Sequence, residues 1–415
     1  MFFFTIIALV VLTDVYSFFG IRQLIQGWSP GWKTVYNWAW WIPTLLTTAM
    51  VIYLMVNRQR MMASNDYSLF FFTIGILFLF LLPKIVFSVF HLANDLVQLV
   101  RAIFHKPVHV APGAPEPHMT RVQFFNQLGL AASAFMFGSM LYGMTRGKYA
   151  YRILSEKISF PDLPEAFRGA RIVQISDLHL GSFQDGGHDE VAEAVAMINE
   201  LEPDYIFFTG DLVNFYAKEA ESWISVFSQL KAKQGKYSIF GNHDYADYVH
   251  WDSDQDKGRN MQRLREIHGE MGFDLMTNEH RWLLKDGDRI ALLGMENWGL
   301  GFAQYGNLHK TMEGVDENAF KILLSHDPTH WESEVMGKKN IHLTFSGHTH
   351  GAQFGLELPS LGIKFSPSEI RYKRWGGLYR EGSQYLYVNR GFGFLAFPGR
   401  VGMPPEITCI DLDKA

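Results

Sequence analysis

The chain has 415 residues, a net charge of −5 and one cysteine, Cys409. That length exceeds one ordinary domain, and a lone cysteine excludes an internal disulfide framework or a thiolate zinc cluster. No basic stripe interleaved with aromatics marks a nucleic-acid surface, so no nucleic-acid partner is indicated. Phe and Trp, 34 and 11 in all, are enriched before about residue 145, whereas Asp, His and Glu gather after it. We therefore divide the chain into residues 1–145, a linker 146–164 containing Pro161 and Pro164, and a domain 165–415.

Residues 1–26, 38–56, 69–100 and 122–144 are apolar runs, each able to cross about 30 Å of hydrocarbon as a helix. The expectation is an all-α transmembrane region of four helices, with the lipid bilayer as partner. Asp14 and Lys84 interrupt two spans, and ionisable groups at that depth face the bundle or sit near an interface. Trp28, Trp32, Trp38, Trp40 and Trp41 crowd the first loop and the start of the second span, as an interfacial aromatic belt does. Arg22, Lys33, Arg101, Lys106 and Arg121 fall on one side, and Arg58, Arg60, Arg146, Lys148 and Arg152 on the other. The tie is tipped by the run from Thr120, TRVQFF before LGLAASAF, which resembles a degraded twin-arginine export signal and sends the C-terminal domain outside.

Beyond the linker, short β-branched or aromatic strands alternate with polar helical stretches, an α/β pattern. Strands are expected at 171–176, 205–209, 237–240, 290–293, 321–325 and 342–346. Five of the six end in chemistry: Asp177-Leu-His179; Gly210-Asp211-Leu-Val-Asn214; Gly241-Asn242-His243-Asp244; Ser325-His326-Asp327; and Gly347-His348-Thr-His350-Gly351. These donors lie just past strand ends, where α/β sheets open their binding crevice. Four histidines, two aspartates and an asparagine converging this way suit Mn, Fe or Zn better than a pure oxygen site for Mg or Ca. Seven donors exceed what one tetrahedral ion takes, so two divalent ions are expected.

The ordered motifs DLH, GDLVN, GNHD, SHD and GHTHG resemble those of the calcineurin-like metallophosphoesterases over about residues 165–411. The tail Tyr387-Val-Asn-Arg-Gly-Phe-Gly with Pro404-Pro-Glu-Ile is similar to the membrane-anchored bacterial branch. The resemblance implies a four-layer αββα sandwich. It implies one metal on Asp177, His179, Asp211 and His350, and another on Asp211, Asn242, His326 and His348. Asp211 would bridge, and a metal-bridging hydroxide would attack phosphorus. His243 takes the place of the family's acid for the leaving oxygen. Many relatives orient that imidazole with an aspartate where this chain has Asn214, and the family's protein Ser/Thr phosphatases carry a phosphate-gripping arginine where it has Phe215.

Arg390 and Arg400 are candidates for a phosphate fork or for structural ion pairs, and 245–260 for a substrate-facing cap or a surface loop. The histidines at 280, 309, 330 and 342 stand outside the motifs. The leading function is hydrolysis of a phosphodiester, phosphomonoester or pyrophosphate bond, of a lipid-linked or envelope substrate. The alternative is a catalytically inactive metal-binding membrane scaffold or sensor. No motif marks the residues that select substrate.

Overall fold

The computed structural model describes residues 2–57, 67–104, 121–183 and 186–415. Arg58, Arg60, Lys106 and Thr120, used in the orientation reading, lie outside them. The chain divides into two compact units, Met1–Tyr142 and Gly143–Ala415.

The first unit is helical: α1 (Phe2–Leu24), α2 (Pro30–Ala39), α3 (Ile42–Val56), α4 (Ser68–Phe104) and α5 (Arg121–Thr145). Among the described residues, four stretches are long and apolar enough to cross a membrane. The second differs from the expected 38–56. It begins at Pro30 and is broken at Trp40-Trp41, so Trp32 sits on a helix rather than in a loop. At 15 residues, α3 alone is about 22 Å long and falls short of the hydrocarbon thickness; α2 extends it to a 27-residue stretch. Asp14 and Lys84 pair with each other at 2.5 Å inside the bundle, which removes two isolated charges from an apolar setting. Lys84 also lies 4.7 Å over the Trp40 ring.

The second unit runs β1 (Arg152–Phe160), β2 (Arg171–Ile175), α6 (His188–Glu200), β3 (Tyr205–Phe208), β4 (Gly235–Ser238), α7 (Asp254–Glu270), β5 (Asp274–Leu275), β6 (Glu279–Lys285), β7 (Asp288–Gly294), β8 (Lys321–Leu324), β9 (Leu343–Ser346), β10 (Leu356–Leu358), β11 (Ile363–Phe365), β12 (Gly377–Glu381), β13 (Gln384–Val388) and β14 (Glu406–Lys414). Two six-stranded sheets result, in the orders β1-β14-β2-β3-β4-β5 and β12-β13-β9-β8-β7-β6, with β10–β11 a separate hairpin. Strand β4 lies two residues earlier than the expected 237–240.

The stretch read as linker is a correction: Arg152–Phe160 pairs in parallel with β14 along its whole length. An edge strand mostly open to solvent carries little hydrophobic signal, which hid it in the sequence.

Period-2 patterning builds the layers. Ile172, Tyr205 and Phe207 point toward Leu292, Ile322, Leu324, Leu343 and Phe345 of the other sheet. The alternate residues Val173, Ile175, Ile206 and Phe208 pack under Val191, Ala194 and Ile198 of α6 and Leu264 and Ile267 of α7. Short helical turns at Leu308–Thr311 and 328–335 cover the second sheet, with Trp331 and Val335 buried on Leu293 and Leu323. The layers are thus α/β/β/α, and the fourth is thin. Gln174 ties the sheets together between the layers, its amide donating to Thr209 Oγ1 and the Ser346 carbonyl, both at 2.8 Å.

Two histidines belong to this scaffold. His268 meets Ser238 Oγ at 2.8 Å and His330 meets Ser325 Oγ at 3.0 Å, each ring only 1% exposed. Burial pushes both from 6.5 down to about 3, assisted for His268 by Arg265. Both are neutral in the fold, so their contribution is fully present above pH 6.5 and is lost as pH falls toward 3. The loss is about 1.4 kcal/mol per pH unit for each ring. Thermal unfolding of the full chain in detergent, followed by circular dichroism, should therefore show a midpoint that drops as pH falls from about 6.5 toward 3. His268→Gln should make the drop shallower.

Candidate metal centre

All seven sequence-predicted ligand candidates come to one place, carried by loops at the C-terminal ends of strands in both sheets. Asp177 and His179 follow β2, Asp211 follows β3, Asn242 follows β4, His326 follows β8, and His348 and His350 follow β9. Two groups form, Asp177–His179–His350 and Asp211–His326–His348, with potential ligand atoms within 4.8 Å of one another in each. Asp177 Oδ1 is 3.2 Å from His350 Nε2. His348 Nδ1 is 3.2 Å from His326 Nε2 and 2.8 Å from Asn242 Oδ1. Asp211 Oδ2 joins the groups, 3.5 Å from His179 Nε2 and 3.2 Å from His326 Nε2.

The backbone at these positions is unusual. Asp177, His179, Asp211, His348 and His350 have φ of +55, +45, +61, +72 and +51°, the left-handed region that non-glycine residues rarely occupy. Turning the chain this sharply at a strand end aims side chains back over the sheet edge. Two glycines make the turns possible by size alone. A Cβ on Gly241 would collide with the Asp211 carboxylate, and one on Gly347 with Ser176 Oγ and the Asp177 carboxylate.

Hydrogen bonds set which ring nitrogens face inward. His326 Nδ1–H donates to the Thr209 carbonyl at 2.7 Å and His179 Nδ1–H to Asn214 Oδ1 at 3.0 Å, leaving each Nε2 lone pair for the centre. His348 Nε2 meets Tyr372 OH at 2.8 Å, so its Nδ1 faces His326 and Asn242. The Asn242 amide donates to Tyr248 OH at 2.8 Å, which turns its Oδ1 inward. Asp211 divides its oxygens, Oδ1 accepting the His243 N–H at 2.8 Å while Oδ2 stays with the imidazoles.

Acceptors facing acceptors repel unless positive charge sits among them. Asp211 Oδ2, Asn242 Oδ1 and the inward nitrogens of His326 and His348 all converge, and the buried His179 Nε2 and His350 Nε2 face the carboxylates of Asp211 and Asp177. The pocket also favours positive charge. Burial pushes His326 down, yet the Asp211 carboxylate by charge and hydrogen bond, together with Asp177, drives it up to about 10. Burial likewise works against Asp211, but the surrounding histidines hold its carboxyl well below the usual range. Buried carboxylates and imidazoles with open lone pairs fit Mn, Fe or Zn.

His243 stands beside the cluster rather than in it. Its Nδ1–H donates to the backbone carbonyl of Asn214 at 2.8 Å, and its ring lies 4.9 Å from His179, 4.8 Å from Tyr248 and 6.1 Å from Phe215. Residue 214 still orients this imidazole, by another route. The backbone of residue 214 orients His243, while its side chain serves His179 and Ser182 Oγ. Neither tail arginine reaches outward: Arg390 pairs with Glu357 and Glu406, and buried Arg400 donates to the Gly393 carbonyl at 2.7 Å.

Sequence reasoning missed the rim. Tyr372 and Tyr248 hold ligand candidates, Phe302 packs edge-on against His348 at 4.8 Å, and the exposed Arg371 guanidinium lies 4.9 Å over Phe302. Tyr248 does fall in the stretch singled out as a cap, but from Asp254 that stretch is helix α7, opened by Ser253 as its cap. The supporting roles of Asp244, which accepts the Asp211 and Gly241 N–H groups at 2.8 Å, and of Asp327, whose Oδ2 lies 3.4 Å from His348 Nε2, also went unread, although both stand in motifs.

Both parts of the chain have counterparts among known proteins. Residues 170–352 match the family described as "Calcineurin-like phosphoesterase", and residues 1–148 match "Probable Calcineurin-like phosphoesterase, transmembrane domain". An uncharacterised metallophosphoesterase of Bacillus subtilis, YkuE, is 31% identical over 301 residues, covering 71% of this chain and 98% of that protein. A second from the same organism, YkoQ, is 24% identical over 67% of this chain and 97% of its own length. A zebrafish (Danio rerio) transmembrane protein with metallophosphoesterase domain is 29% identical over 66% of this chain, which spans 60% of that protein's length. The four apolar stretches, the paired sheets and the motif-bearing strand ends therefore belong together: this chain is a membrane-associated member of the calcineurin-like metallophosphoesterases.

Proposed function

We infer that this protein hydrolyses a phosphoester or pyrophosphate bond with two divalent ions, Mn, Fe or Zn, at the Asp211-centred cluster. The observation that carries this reading is Asp211 Oδ2, shared at 3.5 and 3.2 Å between His179 of one group and His326 of the other, as a bridging carboxylate requires. Asp177, His179, Asp211 and His350 would hold one ion, and Asp211, Asn242, His326 and His348 the second. Bound there, the ions would supply Lewis-acid polarisation of the phosphoryl oxygens and acidify an attacking water. In the net step a water oxygen bonds to phosphorus as the bond to the leaving oxygen breaks.

His243 is our candidate to give the leaving oxygen its proton. With Nδ1–H committed to the Asn214 carbonyl, the exchangeable proton is on Nε2. Phe215 and Tyr248 flank that ring with apolar surface, which limits competing water. The aromatic Phe215, where a phosphoprotein phosphatase would grip phosphate with arginine, argues for a substrate other than a phosphoprotein. The run at Arg121 supports an extracytoplasmic catalytic domain.

After chelation and Mn²⁺ addition, the detergent-solubilised full chain should hydrolyse bis-p-nitrophenyl phosphate or p-nitrophenyl phosphate. Asp211→Ala should abolish turnover, and a metal-loaded wild type inert on these esters and on pyrophosphates would favour the scaffold alternative. His243→Gln should lower kcat by about 10²–10⁴-fold, with metal content by plasma mass spectrometry unchanged. Asn214→Ala frees the His179 ring, so Mn²⁺ affinity by calorimetry should weaken by about 10–100-fold, while kcat at saturating metal falls far less.

A further inference from the structure

The β10–β11 hairpin has its polarity reversed. Cross-strand partners are Leu356 with Phe365, Glu357 with Lys364, and Leu358 with Ile363, and partners share a face. The Glu357–Lys364 face turns toward the domain: Glu357 accepts from Arg390 at 2.8 Å, and Lys364 donates to the Gly376 carbonyl. The other face carries only large apolar side chains, all open: Leu356 47%, Leu358 38%, Ile363 40% and Phe365 57% exposed. Leu361 at the tip is 70% exposed, and Ile370 in the following turn is 93% exposed. A hairpin on a water-facing surface turns its polar side outward, and a continuous apolar patch marks a contact.

Two connections say what that contact is. The root of the hairpin is bonded to Val401, through Gly355 N–H to the Val401 carbonyl at 3.0 Å and Val401 N–H to the Gln353 carbonyl at 2.8 Å. The neighbouring Arg400 N–H donates to the carbonyl of Gly143 at 3.1 Å, and Gly143 lies in the last turn of α5, the helix of the fourth apolar stretch. At its other end the strap continues through Ile370 to Arg371 and Tyr372, whose hydroxyl meets His348. One short segment thus links the end of a membrane helix, an outward apolar face and the rim of the metal centre.

We propose that the β10–β11 hairpin lies in the lipid interface and that the centre takes its phosphoester from the bilayer, the reacting group being the phosphate of an amphiphile. For the chemistry this rests on the phosphoesterase reading above. Arg371, exposed at the rim and stacked on Phe302, is a cation placed to meet an anionic headgroup there.

The test uses the full chain in phosphatidylcholine–phosphatidylglycerol vesicles. Nitroxide labels go on Leu361→Cys and, as a control, on Ser383→Cys in the exposed β12–β13 turn; native Cys409 is buried. Collisions with oxygen should exceed those with a water-soluble nickel chelate at 361 and fall below them at 383. Nickel preference at both positions overturns the proposal, as does dipolar broadening at 361 that grows with protein density, which would mean a second copy covers the face. In the same vesicles, Leu361→Ser with Phe365→Ser should slow hydrolysis of the p-nitrophenyl ester of dioleoyl phosphatidic acid by about tenfold. Their turnover of bis-p-nitrophenyl phosphate should stay unchanged. An equal effect on both esters, or wild-type turnover of the soluble ester alone, overturns the lipid-borne substrate. If wild type hydrolyses neither, the phosphoesterase reading fails, and the collision ratio at 361 still decides the bilayer contact.

Discussion

The candidate metal centre depends on the carboxylate of Asp244, which holds the backbone of the ligand-bearing turns. Asp244 is fully buried and accepts the backbone N–H groups of Asp211, Leu212 and Gly241, each at 2.8 Å. Those bonds clamp the turn after β3 to the turn after β4, and so fix Asp211 at φ +61° with Oδ2 between two imidazoles. Left-handed positions cost about 1–3 kcal/mol each and persist only where surrounding bonds over-determine them. Five ligand candidates sit in that state, and charge-assisted bonds of about 1.5–3 kcal/mol are the natural counterweight. Burial, and then the neighbouring Asp211 charge, push Asp244 itself up to about 7. The clamp is thus strongest where imidazoles, or cations among them, offset the Asp211 charge.

That arrangement explains why the centre was legible. Hard oxygen and imidazole donors must be of particular residue types, and a sheet edge can present them only in the few residues after a strand. Chemistry and local spacing therefore coincide at Asp177-x-His179, Asn242-His243-Asp244 and His348-x-His350. The supports carried no such signature. Asn214 acts on His243 through its backbone carbonyl, which any residue supplies. Tyr372 and Phe302 reach His348 from long loops, and contacts between loops distant in sequence leave no periodic trace. The same limit hid β1 and β5, whose strand character comes from pairing partners rather than their own pattern.

In the helical unit the apolar runs were plain, but their internal punctuation was not. Pro30 and Pro43 stand at the starts of α2 and α3, where a missing N–H costs nothing, so two prolines in one run signal two helices. Asp14 and Lys84 read singly as interruptions; paired, they are a contact that breaking either partner would leave as an uncompensated charge.

The hairpin shows a different kind of limit, because its alternation taken alone points the wrong way. Leu-Glu-Leu and Ile-Lys-Phe alternate as any half-buried strand does, and the default inference puts leucine inward. The inversion follows from Arg390. That buried guanidinium needs carboxylates, and it draws Glu357 and Glu406 to itself at 2.8 and 2.7 Å. An unpaired guanidinium in that position would be far more costly than exposing apolar side chains. Once Glu357 turns inward, strand geometry turns Leu356 and Leu358 outward, since neighbours in a strand point to opposite faces. The exposed face is therefore a consequence of a buried ion pair, and water is a poor solvent for it; a chain with four membrane-length apolar stretches among its described residues has a better one at hand.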